Sequence, residues 1–420
     1  MLVIRHIHII DPLNKRNEIG DLRIDLEGRL CDLTNYTIQP EDQIIDGTGK
    51  IAYPGFVDIH VHFRDPGQTY KEDLNSGTMA AAAGGYTHVV CMANTIPVID
   101  QVKSYHENQK RMADLPIHVY QAAAISIGLK GKQLTDMTAL KEAGVKMFTD
   151  DGIPLKDSGL VETAMKQAKQ LEVPLSFHEE DPTYIRHAGI NQGVISQTLG
   201  FDGADRLAEI KIIERDIRLA KKTHACINIQ HISSKEAVAL VREAKRNGVT
   251  IHAEACPHHF TLTENAVLEY GSLAKMNPPL REEADRLAII EGLRDGTIDI
   301  IATDHAPHAK EEKNRPLLQA PSGIIGLETA YALANEILVA NGVLDEISLI
   351  EKMAINPGRL IGVRAALDLG QPANLVIVDP NQRWQVQDFR SKSENSPFYG
   401  RTMIGQVLLT IAKGKLVYQK

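Results

Sequence analysis

The chain has 420 residues, 43% hydrophobic and 24% charged, a balance that excludes intrinsic disorder and fibrous repeats. Its net charge of −8 argues against nucleic-acid binding, because a protein that grips a phosphate backbone needs a basic face to displace counterions. The four cysteines, Cys31, Cys91, Cys226 and Cys256, are scattered and form no C-x-x-C pair, so they read as reduced thiols and not as a disulfide framework or a zinc ribbon.

At roughly 150 residues per domain the length suggests two or three domains, although one barrel can absorb about 250 residues or more. The apolar opening stretch carries Arg5, His6 and His8 and lacks a small-residue cleavage pattern, so no secretory signal is expected there. No apolar run reaches the roughly 18 residues of a membrane span, and the expected setting is the cytoplasm.

In chain order, residues 2–10, 21–26 and 43–46 are short apolar stretches parted by turn residues such as Asp11-Pro12 and Gly47-Thr48-Gly49, the grain of short antiparallel strands. From residue 54 the texture changes. Apolar runs of strand length recur at 55–63, 87–93, 117–124, 144–149, 174–178, 226–232, 250–255 and 299–303. Amphipathic helical stretches follow most of them, for example 158–171, 235–247 and 282–294. Strand-then-helix alternation implies a parallel sheet, and eight such units imply a closed (β/α)8 TIM-like barrel. The long crossovers 179–225 and 256–298 are expected to form loops or small helices over the mouth. Residues 373–379, 384–386 and 405–417 return to strand texture. Neither terminus alone holds enough strands for a core, so the expected architecture is a barrel over residues 54–364 and a small β-sandwich built from residues 1–53 and 365–420.

Catalytic groups of barrel enzymes lie at the C-terminal ends of the strands. Here strand 1 ends in Asp58-Ile59-His60-Val61-His62 and strand 4 runs into Asp150-Asp151. Strand 5 ends at His178, strand 6 at His231 and strand 8 at Asp304-His305. Residues two apart on a strand share a face, so His60 and His62 both point into the barrel. An H-x-H pair alone is weak, but further ligands at equivalent strand ends strengthen it, since so many buried ionisable groups need compensating charge. Four histidines and two carboxylates suit zinc, and the number suits two ions sharing a water better than one. Iron, manganese and cobalt stay open on residue types alone.

The run Pro54-Gly55-Phe56-Val57-Asp58-Ile59-His60-Val61-His62 resembles the opening signature of the amidohydrolase superfamily. The continuation Arg64-Asp65-Pro66-Gly67, Met92-Ala93-Asn94-Thr95, Phe148-Thr149-Asp150-Asp151-Gly152, Lys275-Met276-Asn277-Pro278-Pro279-Leu280-Arg281 and Ala302-Thr303-Asp304-His305-Ala306-Pro307-His308 resembles the bacterial class I dihydroorotases. The resemblance implies reversible cyclisation of N-carbamoyl-L-aspartate to L-dihydroorotate in pyrimidine synthesis, with two zinc ions per subunit. His60, His62 and Asp304 would hold one ion, His178 and His231 the other, and Asp151 would bridge them. A metal-bound hydroxide would be the nucleophile and Asp304 the proton shuttle. The substrate contacts implied are His62, Arg64, Asn94, Asn277, His308, Ser322 and Gly323. A homodimer is implied, with association with aspartate transcarbamoylase as a further partner. Neither nucleic acid nor membrane is.

Two positions depart from the pattern. The family usually carries an aromatic before Gly323, and this chain has Ser322. Lys146 lies close to where hydantoinases and other dihydroorotase classes carry a carboxylated bridging lysine, an alternative to Asp151. His258 and His259 are expected to be loop or supporting residues, and residues 310–315 a solvated flap edge. Two competing functions remain open: a hydantoinase, dihydropyrimidinase or allantoinase, and a non-catalytic scaffold for aspartate transcarbamoylase.

Overall fold

The computed structural model describes residues 1–33 and 36–420. All eight expected barrel strands are present: Phe56–Val61, Tyr86–Cys91, His118–Gln121, Phe148–Thr149, Leu175–Phe177, Ile227–Ile229, Ile251–Ala255 and Ile300–Ile301. The first three pair in parallel as one sheet and the last five as another. Ala123 pairs in parallel with Phe148 and Val61 with His305, and these bridges join the two sheets into a closed barrel. The strands are buried almost throughout, because helices cover their outer faces.

The helices start where the sequence supplies caps. Asp157 accepts from the backbone of Gly159 and Leu160 to open Ser158–Gln170, and Ser234 accepts from Ala237 to open Lys235–Arg246. The latter buries Ala237, Val238, Val241 and Ala244, a stripe at three- and four-residue spacing that faces the barrel. The two long crossovers combine short helical pieces with one full helix each, Leu207–Thr223 in the first and Glu283–Asp295 in the second. Ile190 and Ile195 of one pack with Ala266, Val267, Ala274 and Leu280 of the other in a small apolar cluster of their own.

The terminal strands form one continuous hydrogen-bonded sheet. Its order is Lys415–Gln419, Thr402–Ala412, Leu375–Gln385, Ile51–Pro54, Leu2–Asp11, Arg16–Ile24 and Leu30–Cys31, with Gln43–Asp46 also paired to Leu2–Asp11. N- and C-terminal strands meet where Ile51–Pro54 lies antiparallel to Leu375–Val378. Ile4, Ile7 and Ile9 share a cluster with Leu375, Ile377, Leu409 and Ile411, so each terminus completes the other's core. Residues 390–396 leave this sheet and lie against the barrel mouth, where Ser391 and Lys392 meet Glu72. All four cysteines are free. No helix among the described residues is long and apolar enough to cross a membrane.

His88 and His118 are paired on neighbouring barrel strands with their rings stacked at 4.3 Å. Burial, reinforced by the Lys413 ammonium, pushes His118 down to about 4, and burial also holds His88 well below its ordinary range. An unfolded histidine titrates near about 6.5, so between pH ~6.5 and ~4 the unfolded chain binds more protons than the folded one. The stability contributed by the neutral pair is therefore complete above that window and is lost as pH falls through it. His118→Phe, which keeps the stack and removes one titrating ring, is expected to flatten the fall of melting temperature between pH 7 and 5, measured by thermal unfolding.

Candidate active site and metal centre

At the C-terminal ends of the strands the six expected ligands converge. The Asp151 carboxylate is 3.3 Å from His60 Nε2, 3.4 Å from His62 Nε2, 3.7 Å from His178 Nδ1 and 3.9 Å from His231 Nε2. Asp304 Oδ1 lies 3.0 Å from His62 Nε2 and 3.5 Å from His60 Nε2. Their donor atoms fall into overlapping groups, each within 4.8 Å: His60, His62 and Asp151; His60, His231 and Asp304; Asp151, His178 and His231. All six residues are buried.

The tautomers are fixed from behind. Glu254 sits 2.9 Å from His60 Nδ1 and accepts its proton, which leaves the Nε2 lone pair aimed between Asp151 and Asp304. That nitrogen is buried and has no well-directed hydrogen-bond partner. Asn94 Oδ1 plays the same part for His62 Nδ1 at 3.2 Å, and Glu180 for His178 Nε2 at 3.1 Å. Freed in this way, His178 Nδ1 faces His231 Nε2 at 2.8 Å. Imidazole lone pairs and carboxylates turned on one another in a buried space are the donor set of a cation site, and the residues fit metal ions.

Backbone conformation contributes to the convergence. Arg64, His231 and Asp304 adopt left-handed φ values of 56°, 33° and 46°, a costly choice for residues with a Cβ that turns their side chains inward at strand ends. Asp58 fixes the seam between first and last strands. Its carboxylate accepts from the backbone of His60 at 3.0 Å and of Thr303 at 3.2 Å, and burial raises it to about 7. Asp150 turns away from Asp151, accepting from Ile125 and Ser126, and burial raises it to about 6.

The cleft over the centre has a volume of about 140 Å³, below the roughly 300–1,000 Å³ of drug-sized sites, and suits a compact metabolite. His62, Arg64, Asn94, Asn277, Ser322 and Gly323 line it. Asn277 Oδ1 is buried with no protein partner. Asn94 also donates to Asp151 at 3.0 Å, so it orients two ligands as well as facing the cleft. A Cβ on Gly323 would meet Ala306 O at 2.6 Å, and one on Gly189 would meet Ser322 Oγ at 2.3 Å. The small side chain at 322 matches this close approach of the crossover loop.

His308 is placed differently from the other expected contacts. It lies behind the 320–323 loop, its Nε2–H donating to Ser322 O at 2.9 Å and its Nδ1 facing the Lys71 ammonium at 3.4 Å. Burial, with Arg64 and Lys71 adding repulsion, pushes it down to about 2, so the ring is neutral beside the Arg64 guanidinium. Lys146 points away from the centre, donating to Ile361 O and resting over the Tyr120 ring, so its ammonium is engaged on the barrel's outer side. His258 and His259 lie buried, and His259 donates to Pro278 O beside Asn277. The charged run 310–315 is not wholly solvated. Lys310–Lys313 is a helical turn, and Lys313 is buried because its ammonium reaches the carbonyls of Pro321 and Gly323.

Glu254, Glu180, Lys275, Lys313 and Asn395 escaped the sequence reading. For Glu254 a signal existed: an acid inside an otherwise apolar buried strand.

A closed barrel with imidazoles and carboxylates gathered at its mouth has the donor set and architecture of a metal-dependent hydrolase. Solved structures share the fold: an L-hydantoinase from Arthrobacter aurescens superposes with a TM-score of 0.88 at 23% identity over 100% of this chain and 96% of that one. A D-hydantoinase does so with a TM-score of 0.84 at 19% identity over 100% and 95%. Among sequences, a family model described as dihydro-orotase-like matches residues 49–237. A dihydroorotase of Clostridioides difficile (strain 630) is 51% identical over 420 residues, and one of Clostridium acetobutylicum 47% over 422, each alignment covering 100% of both chains. The chain belongs to the dihydroorotase family.

Glu254→Gln keeps the shape but replaces the charged carboxylate behind His60 with a neutral amide that has one acceptor oxygen instead of two. Metal affinity, measured by competition with a chromophoric chelator, is expected to fall about 10- to 100-fold.

Proposed function

We propose that the protein catalyses the reversible cyclisation of N-carbamoyl-L-aspartate to L-dihydroorotate, in pyrimidine biosynthesis, through two zinc ions per subunit held by His60, His62, Asp304, His178, His231 and the bridging Asp151. A homodimer in the cytoplasm is part of this reading, as the resemblance to class I dihydroorotases implies. The observation that carries it is one small cleft with the metal-fitting donors on its floor and a guanidinium on its wall.

When bound, the ions lower the pKa of water from about 15.7 towards 7 and polarise the amide carbonyl. The protein's own groups do the rest. Arg64 offers a planar fork to the substrate carboxylate, and Asn277 offers its unpaired amide oxygen to the ring's N–H edge. Asp304, held against His62 at 3.0 Å, takes the proton from the attacking water and passes it to the ring nitrogen as the C–N bond breaks. In the reverse direction the ureido nitrogen attacks the side-chain carboxyl carbon. Asp304 then receives the nitrogen's proton and returns it to the departing hydroxyl of the protonated side-chain carboxyl, which leaves as water.

Arg64 also bears on the hydantoinase alternative, because hydantoin and dihydrouracil lack the carboxylate that a guanidinium would recognise. The hydantoinase neighbours share the fold and under 25% of the sequence. A scaffold function is disfavoured, since every ligand position is filled.

Metal analysis paired with carbamoyl-aspartate cyclisation tests the proposal. Turnover of dihydroorotate, with little on hydantoin or dihydrouracil, is expected, and activity on the latter two alone would overturn it. Asp304→Asn should retain most of the metal while turnover falls roughly 10²- to 10⁴-fold. A near-wild-type rate removes Asp304 from the proton path.

A further inference from the structure

The wall of the cleft opposite the metal ligands is assembled from pieces distant in sequence. Residues 306–308 follow the last barrel strand, the loop 320–323 follows a helical turn, and residues 390–396 arrive from the terminal sheet. Asn395 stands where they meet and is buried. Its Nδ2 donates to Ala306 O and to Gly323 O, both at 3.0 Å. Its Oδ1 accepts from the backbone N–H of His308 at 3.0 Å, and its carbonyl accepts from Ile325 N at 3.1 Å. The side chain thus uses both donors and its acceptor, each on backbone next to or within the cleft wall, and this pattern also fixes which way the amide points.

Two lysines grip the same loop. Lys313 donates to Pro321 O and Gly323 O, each at 3.0 Å, and Lys275 donates to the carbonyls of Leu317, Leu318 and Ala320 at 2.9, 3.2 and 2.7 Å. Gly323 N–H in turn donates to Lys275 O at 2.9 Å. Every polar group of the Gly323 residue is committed, and its carbonyl holds two donors. The segment that carries Asn395 is itself anchored: Ser393 Oγ donates to Lys71 O at 2.7 Å, and Lys392 N to Glu72 Oε1 at 3.1 Å.

We infer that Asn395 is a positioning residue for substrate binding: it sets the distance between the Ala306–His308 segment and the Ser322–Gly323 loop, and so the width of the cleft on the side where Arg64 meets the substrate carboxylate. Lys313 supports it from the far side of the Gly323 carbonyl. Neither residue lines the cleft over the metals, so neither enters the chemical step. The inference rests on the proposed role of Arg64 as carboxylate partner.

Asn395→Asp is nearly isosteric and still accepts from His308 N–H, but it turns a carboxylate towards the Ala306 carbonyl, which has lost its donor, and the Gly323 carbonyl, which keeps only Lys313. KM for both carbamoyl-aspartate and dihydroorotate is expected to rise about tenfold, the effect of one displaced binding contact. The kcat and metal content should stay near wild type, while the buried charge lowers the melting temperature. Lys313→Met is expected to raise KM in the same direction, and it carries the test if the first variant does not fold. An unchanged KM in a folded variant, or a fall in kcat together with melting temperature at constant KM, overturns the inference. Arg64→Gln separates the two layers of argument. If it leaves KM unchanged, the carboxylate assignment falls and the inference with it. If it raises KM while the Asn395 and Lys313 variants do not, only the inference falls.

Discussion

Four imidazoles lie within 4 Å of the single carboxylate of Asp151, all of them buried. Such a cluster is stable only if every ring presents a lone pair and not a proton to the centre, and only if positive charge is available there. For three of the four rings the first condition is met by hydrogen-bond acceptors placed behind them, Glu254 for His60, Asn94 for His62 and Glu180 for His178, each of which claims the opposite nitrogen. The second is what a metal supplies. Much of the barrel's polar interior answers to these two demands. Asn228, for instance, donates to both Ser176 Oγ and Glu254 Oε1 and keeps that acid aimed at His60.

The opposite wall obeys a different logic. It carries no metal ligand, and its shape depends on backbone carbonyls held by buried ammonium and amide donors. Lys313 illustrates the cost. Burial, with Lys275 nearby, brings its ammonium down to about 7, while the carbonyls of Pro321 and Gly323 accept from it. One side of the cleft is therefore organised around attracting positive charge, and the other around positive charge already built in.

The division between what the sequence revealed and what it concealed follows from range. The eight barrel strands were readable because each is a continuous apolar run, and the ligands because strand ends are fixed points in such a barrel, so His60, His62, His178, His231 and Asp304 could be placed by counting. The supporting acceptors act across strands. Glu254 reaches back nearly two hundred residues to His60, and nothing local marks it beyond its charge. Residues 390–396 fall within the expected sandwich segment 365–420, because their polar, turn-rich composition says nothing of the barrel mouth they touch. His308 sits in the expected motif, but only the fold shows that its ring backs Ser322 and does not line the cleft. Lys310–Lys313 read as charged and solvated because a lysine that spends its charge on carbonyls looks, in sequence, like any other lysine.

The terminal sheet has a consequence for the order of events during synthesis. Ile51–Pro54 runs straight into the first barrel strand, with Leu2–Asp11 on one side and Leu375–Gln385 on the other. A nascent chain emerging from the ribosome therefore carries an unzipped strand edge through the making of the whole barrel, and that edge is covered only when Leu375–Gln385 appears. Unpaired edges of this kind invite pairing with neighbouring chains. The charged residues Arg16, Glu18, Asp21 and Arg23 along Arg16–Ile24 make that strand a poor template for such pairing while the early half of the sheet waits.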